Sequence, residues 1–132
     1  MNTGLITQAS PYSVKETIER IASLVQSKGM TIFSRIDHAE NAIQVGLPLR
    51  PTELIVFGNP KAGTILMQDN QISGLDLPFK VLAWEDESGK TWLTYNDPAW
   101  IAERHHLSDR STPTVNSIKK GIEGIVETAT KE

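Results

Sequence analysis

The stretch KVLAWEDESGKTWLTYN, residues 80–96, restricts the fold more than any other part of the chain. Two runs of alternating character, 80–86 and 90–96, flank Glu87-Ser88-Gly89. Gly89 suits the positive φ that a tight connection needs, so the segment reads as a β-hairpin. In its first strand Val81 and Ala83 share one face and Leu82 and Trp84 the other. In the second, Trp92 and Thr94 oppose Leu93 and Tyr95. Asp97-Pro98 follows at once. Asp as N-cap with Pro at the first helical position starts a short helix over 98–106.

The other elements fall around this hairpin. Ser13 with Glu16 three residues on forms a capping box, and Val14, Ile18, Ile21 and Val25 recur on one helical face. Gly29 can close that helix, giving a helix over 13–28. Residues 5–12 form a weak first strand. Residues 30–37 read as a strand with Ile32, Ser34 and Ile36 on one face and Phe33, Arg35 and Asp37 on the other. A loop through 38–41 follows, then a turn and extended connection over 42–52, where Gly46, Pro48 and Pro51 sit. The apolar run 53–58 reads as a strand covered on both faces, and 60–69 as a helix weakened by Gly63. Thr112-Pro113 opens a last helix with the apolar stripe Val115, Ile118, Ile122, Ile125 and Ala129. Gly121 and Gly124 weaken it by roughly 1 kcal/mol each, so it needs a surface to dock against. The order β-α-β, β-α, β-β, α-α predicts an α+β, two-layer fold: an antiparallel or mixed sheet with helices packed on one face.

Bulk properties exclude several classes. The 132 residues suit one domain, spanning 1–132, with 113–129 as a C-terminal helical extension. The net charge is −3 and no Lys/Arg run tracks a phosphate backbone, so nucleic acid is not the expected partner. No polybasic membrane anchor is visible, and no apolar run approaches the ~18–20 residues that span a bilayer. No cysteine is present, which removes disulfides, thiolate nucleophiles and thiolate metal sites. The N-terminal MNTGLITQASPY has no signal-peptide pattern. A soluble, cytoplasmic protein is the expectation.

The string VFGNPKAG, 56–63, is the first candidate site. Asn59 can cap a helix whose N-terminus, with Lys61, would face an anion; the same residues equally make an ordinary strand-to-helix turn. It is not a nucleotide-binding P-loop. Gly58 and Gly63 have the right gap, but Thr64 stands where that motif needs lysine. His38, at a strand end, could act as a base, but no spaced ligand set accompanies it and a histidine bonded to backbone fits as well. His105 and His106 are adjacent, hence about 100° apart on a helix, and suit the charge preference of a helix C-terminus rather than a metal. Tyr95 and Asn96 end a strand beside a helix start, where binding groups or a core tyrosine and a turn asparagine are both at home. Trp84, Trp92 and Trp100 read as packing residues. No serine lies in a Gly-x-Ser-x-Gly elbow.

The strings RIDHAENA (35–42), LIVFGNPKAGTILMQ and LDLPFKVLAWEDESGKTWLTYNDPAWIAERHHL resemble the family known as domain of unknown function 302. The resemblance runs from about Ser13 to Leu107 and leaves the helix 113–129 outside. It implies a two-layer α+β fold of the TATA-box-binding-protein-like type and a homodimer, and it implies no activity. Some relatives carry cysteines where this chain has Gly58 and Phe79, so thiol or metal chemistry does not carry over.

Three functional expectations follow. The leading one is a non-catalytic homodimeric module binding a small anionic ligand. Its pocket would be shared by Arg35, His38, Asn59, Lys61, Tyr95 and Asn96, with no metal site expected and no cofactor identified. The second is an enzyme with His38 as general base held by a carboxylate. The third is a structural or interaction protein whose last helix docks on a partner or on the second subunit through Val115, Ile118, Ile122 and Ile125.

Overall fold

The computed structural model describes residues 3–132; Met1 and Asn2, part of the N-terminal stretch read above, lie outside the described residues. Five strands, β1 (Leu5–Ser10), β2 (Thr31–Asp37), β3 (Thr52–Gly58), β4 (Phe79–Glu85) and β5 (Thr91–Asn96), form one sheet in the order β1-β5-β4-β3-β2. Every neighbouring pair is antiparallel. The helices are α1 (Val14–Ser27), α2 (His38–Gln44), α3 (Pro60–Asp69), α4 (Pro98–Arg104) and α5 (Thr112–Ala129), with 3₁₀ turns at 71–76 and 109–111.

The hairpin forms as its alternation dictates. Val81, Ala83, Leu93 and Tyr95 are buried, while Leu82, Trp84, Trp92 and Thr94 on the opposite face are half-buried. β3 alternates too: Ile55 and Phe57 are buried, Leu54 and Val56 half-buried. The expectation that this strand is covered equally on both faces is therefore corrected. Ile18, Ile21 and Val25 of α1 and Ile122, Ile125 and Val126 of α5 lie against the buried face and complete a single core.

The last helix is not an extension. Val115, Ile122 and Ile125, expected to dock on a partner, are buried within this chain. The Arg20 guanidinium donates from Nε to the Ala129 carbonyl at 2.7 Å and ties the end of α5 to α1. Two glycines lower its intrinsic helicity, and packing against α1, α4 and the shared core supplies the surface it needs.

Two local features depart from the sequence reading. Residues 38–41, expected as a loop, open α2, whose N-cap Asp37 accepts from the Glu40 N–H at 2.9 Å. α2 buries no residue, so it has no apolar periodicity to announce it. In β2 a bulge lies between Ile32 and Ser34. Ile32 pairs with inward-facing Phe57 while Ser34 pairs with Val56, so these two residues lie on opposite faces instead of sharing one. A single extra residue shifts all later side chains to the other face. Arg35 consequently turns towards the helices.

The pairings define two ends of the sheet. Thr31, Gly58, Phe79, Asn96 and Leu5 lie at one end, and Asp37, Thr52, Glu85, Thr91 and Ser10 at the other.

Candidate functional site: a cavity at one end of the sheet

A cavity of about 440 Å³ opens where β3 ends and β4 begins. Its floor is core: Phe57, Phe79, Ile122 and Ile125, each no more than 7% exposed. One wall is α3 with the chain that follows it, contributing Ala62, Gly63, Met67, Leu77 and Pro78. The facing wall is α5, through Ser117, Ile118 and Gly121. Lys28, Met30 and Phe33 come from the connection between α1 and β2 and from β2 itself. Phe33 stands at the β2 bulge and is 48% exposed. The lining is thus mainly apolar, and Lys28 is its one charged residue.

Two helix glycines border this space. A Cβ added at Gly121 would meet nothing within 4 Å, and one at Gly63 would come no nearer than 3.9 Å to the Met67 methyl. Neither glycine has a positive φ. Packing and backbone geometry therefore do not require glycine at either position, although each lowers helix stability by roughly 1 kcal/mol relative to alanine. What each leaves in place is volume.

The six residues expected to share a pocket do not gather around it. Asn59 lines the cavity, but its Oδ1 accepts from the Lys61 N–H at 2.9 Å and caps α3. Lys61 faces a shallower, adjoining depression between α3 and the start of α5, shared with Asn59, Ala62 and Ser117. Asn96 lies at the same end of the sheet, on β5, two strands from β3. Tyr95 is buried in the core, where desolvation first, then Glu123 and Asp97, holds its hydroxyl above the ordinary value of 10.0. Arg35 spans Glu19 at 2.8 Å and Glu53 at 3.1 Å, on the α1 side. These bonds, the Glu19 one foremost, raise its already high pKa and lower that of Glu19. His38 sits at the far end of the sheet, exposed at the start of α2. Among the described residues no carboxylate is bonded to its ring, so the His38–carboxylate pair of the enzyme expectation is not formed.

A polar cluster that the sequence did not reveal braces the α3 wall. Asp69 Oδ2, at the end of α3, accepts from the Ser108 N–H at 2.8 Å, the Ser108 hydroxyl at 3.0 Å and the Ser111 hydroxyl at 2.6 Å. The Ser111 bond is the main cause of an Asp69 pKa below the ordinary 3.8. Next along the chain, Asn70 donates to the His105 carbonyl at 2.7 Å. Asp76 bonds His105 Nε2 at 2.5 Å and pairs with Arg104 at 3.1 Å. His105, read as a charge at a helix end, is 6% exposed. No sequence signal marks this pairing, because Asp76 lies 29 residues away. Ser73 is fully buried and its hydroxyl bonds nothing, so no Ser–His–Asp relay forms here.

The sequence model for the domain of unknown function DUF302 matches residues 6–128. The chain belongs to the DUF302 family. The match reaches well into α5, beyond the Leu107 limit expected above, in keeping with the place of that helix in the core. The crystal structure of an uncharacterized conserved DUF302 protein from Bacillus stearothermophilus superposes with a TM-score of 0.84. It covers 98% of this chain and 100% of that one at 18% identity, a likeness that establishes the fold alone. Two curated relatives, each printed as "Fluoride-specific ion channel FluC 1", come from Brucella suis biovar 1 (strain 1330) and Brucella abortus biovar 1 (strain 9-941). Both are 54% identical over 121 residues, 92% of this chain. The match covers 48% and 45% of their respective lengths, so this DUF302 chain spans about half of the relatives it resembles.

Proposed function

We propose that this DUF302 domain is a non-catalytic binding module for a small molecule whose largely apolar body occupies the cavity between α3, α5 and the ends of β3 and β4. The observation that carries this reading is the pair of helix glycines on facing walls, Gly63 and Gly121, which keep open a space that packing does not require. Its volume of about 440 Å³ falls in the range of small-molecule sites, and its few polar groups around an apolar floor match their usual chemistry. The anion expected at Asn59 and Lys61 becomes, on this reading, at most one end of the ligand, because Lys61 lies outside the cavity.

No described helix is long and apolar enough to cross a membrane. In the Brucella relatives, the proposal assigns ligand binding to the matched segment and the channel activity in their names to the remainder. The homodimer implied by the family resemblance would be built from surfaces outside the cavity.

The test is a small-molecule screen followed by calorimetric titration on the wild type, Gly121→Leu and Lys61→Ala. Gly121→Leu puts side-chain atoms into the open space and is expected to abolish binding while the circular dichroism spectrum stays unchanged. Lys61→Ala is expected to bind as the wild type does. Binding that is indifferent to Gly121→Leu would sink the proposal.

A further inference from the structure

We infer that the ligand of this cavity is a monoanionic amphiphile, an organic acid with an apolar body, and that Lys28 selects it. The inference rests on the cavity being the binding site, as proposed above. Among the described residues no Asp or Glu lines the cavity, and Lys28 is the single ionised side chain that does. Among the described residues Lys28 enters no ion pair, unlike Arg35, Arg104 and Lys119, which all face carboxylates. Its position is set by local structure. Lys28 is the C-cap of α1, with its N–H bonded to the Leu24 carbonyl at 3.1 Å, and Gly29 at φ 72° turns the chain directly after it.

Lys28 is exposed at the rim of the cavity, so a ligand that fills the apolar floor and reaches this rim would displace part of the water around its ammonium group. An unpaired charge beside an apolar surface loses hydration, and that loss is offset only by an opposite charge or a strong acceptor. A carboxylate supplies both in one charge-assisted hydrogen bond. A neutral alcohol of the same length supplies a weaker acceptor, and an amine adds repulsion. One lysine matches one negative charge, so a polyanion such as a nucleotide would leave most of its charge against Met30, Phe33 and Leu77.

Titration with octanoate and octan-1-ol at the same pH tests this. Octanoate is expected to bind about tenfold or more tightly than the alcohol, the factor that a hydrogen bond to a charged group supplies. Lys28→Met keeps the aliphatic stem and removes the charge; it is expected to weaken octanoate until the two ligands bind alike. Shifts of the Ile122 and Ile125 methyl resonances report occupancy of the floor without any variant. If octanoate and octanol bind equally to the wild type and move those methyls, the charge selection is overturned and the cavity reading stands. If neither ligand moves them, or if both bind undiminished to Gly121→Leu, the cavity reading falls and this inference falls with it.

Discussion

Two regions of this chain set large apolar side chains beside open space, and they do so in opposite ways. At one end of the sheet, Phe57, Phe79, Ile122 and Ile125 floor a cavity walled by α3 and α5. In α2 and the connection after it, Ile43, Val45, Leu47 and Leu49 stand 50–70% exposed, with no helix over them. The difference lies in what packs nearby. α5 meets α3 across the cavity, whereas the 45–51 connection is tied down by backbone: Leu47 N–H to the Ala42 carbonyl and Glu85 N–H to the Pro51 carbonyl. Apolar composition alone therefore does not make a site. A site needs a second element to enclose it, and a reason for the enclosed space to stay unfilled.

The largest expected effect separates the two regions by stability. Phe57→Ala removes a ring that is 1% exposed and should cost about 3–5 kcal/mol in urea unfolding. Leu47→Ala, at a side chain 62% exposed, should stay within about 0.5 kcal/mol of the wild type. Equal costs would mean that the 43–49 segment is buried in solution, by a second copy or otherwise.

A smaller effect of opposite sign comes from the cavity wall. Gly121→Ala should stabilise the protein by about 1 kcal/mol, because the helix gains propensity and the added methyl meets no atom within 4 Å. A destabilised variant would show that the space at Gly121 is not open, and the contrast between the two regions would weaken.

The triple substitution of Val45, Leu47 and Leu49 by Ser should change stability by no more than about 0.5 kcal/mol per site. Light scattering on the same protein reads out assembly. A fall in mass from dimer to monomer would assign the exposed strip to a contact between copies; an unchanged mass would place any such contact elsewhere.

The smallest effect at neutral pH concerns the brace behind the cavity. The folded pKa of Asp69 lies below its ordinary 3.8, so its contribution is complete above that value. It is lost as the pH falls through the lower folded value. Asp69→Asn should therefore flatten the acid limb of the stability curve below about pH 4 and leave its shape above pH 5 unchanged. An acid limb identical to the wild type would show that the Ser108 and Ser111 bonds do not couple to folding.

Much of the fold was legible from local pattern. α1 begins at Val14 behind the Ser13 cap, and α3 runs Pro60–Asp69 as its Asn-Pro start and length suggested. The β4–β5 hairpin carries the facing sets that its alternation predicts. α2 was missed although Asp37 and Glu40 repeat the three-residue spacing of Ser13 and Glu16, because an exposed helix has no apolar stripe. Of the candidate site, only Asn59 proved to line the cavity. Tyr95, Asn96, Arg35 and His38 had been grouped by their nearness to strand ends, but a strand has two ends and a sheet has width. The bulge in β2 and the part-buried Asp76–His105 pair left no trace in the sequence, since each depends on chain segments distant in order.

Composition, capping residues and apolar periodicity determined the kind of protein this is: an α+β fold with a β-hairpin inside its sheet and helices packed on it. These signals act over a few residues, where backbone sterics and local hydrogen bonds dominate. The tertiary structure alone decided that α5 belongs to the core, that Gly63 and Gly121 line one cavity, and that Lys28 borders it. Those facts arise from packing between segments tens of residues apart, and no local energy term encodes which side chains such packing leaves without a neighbour.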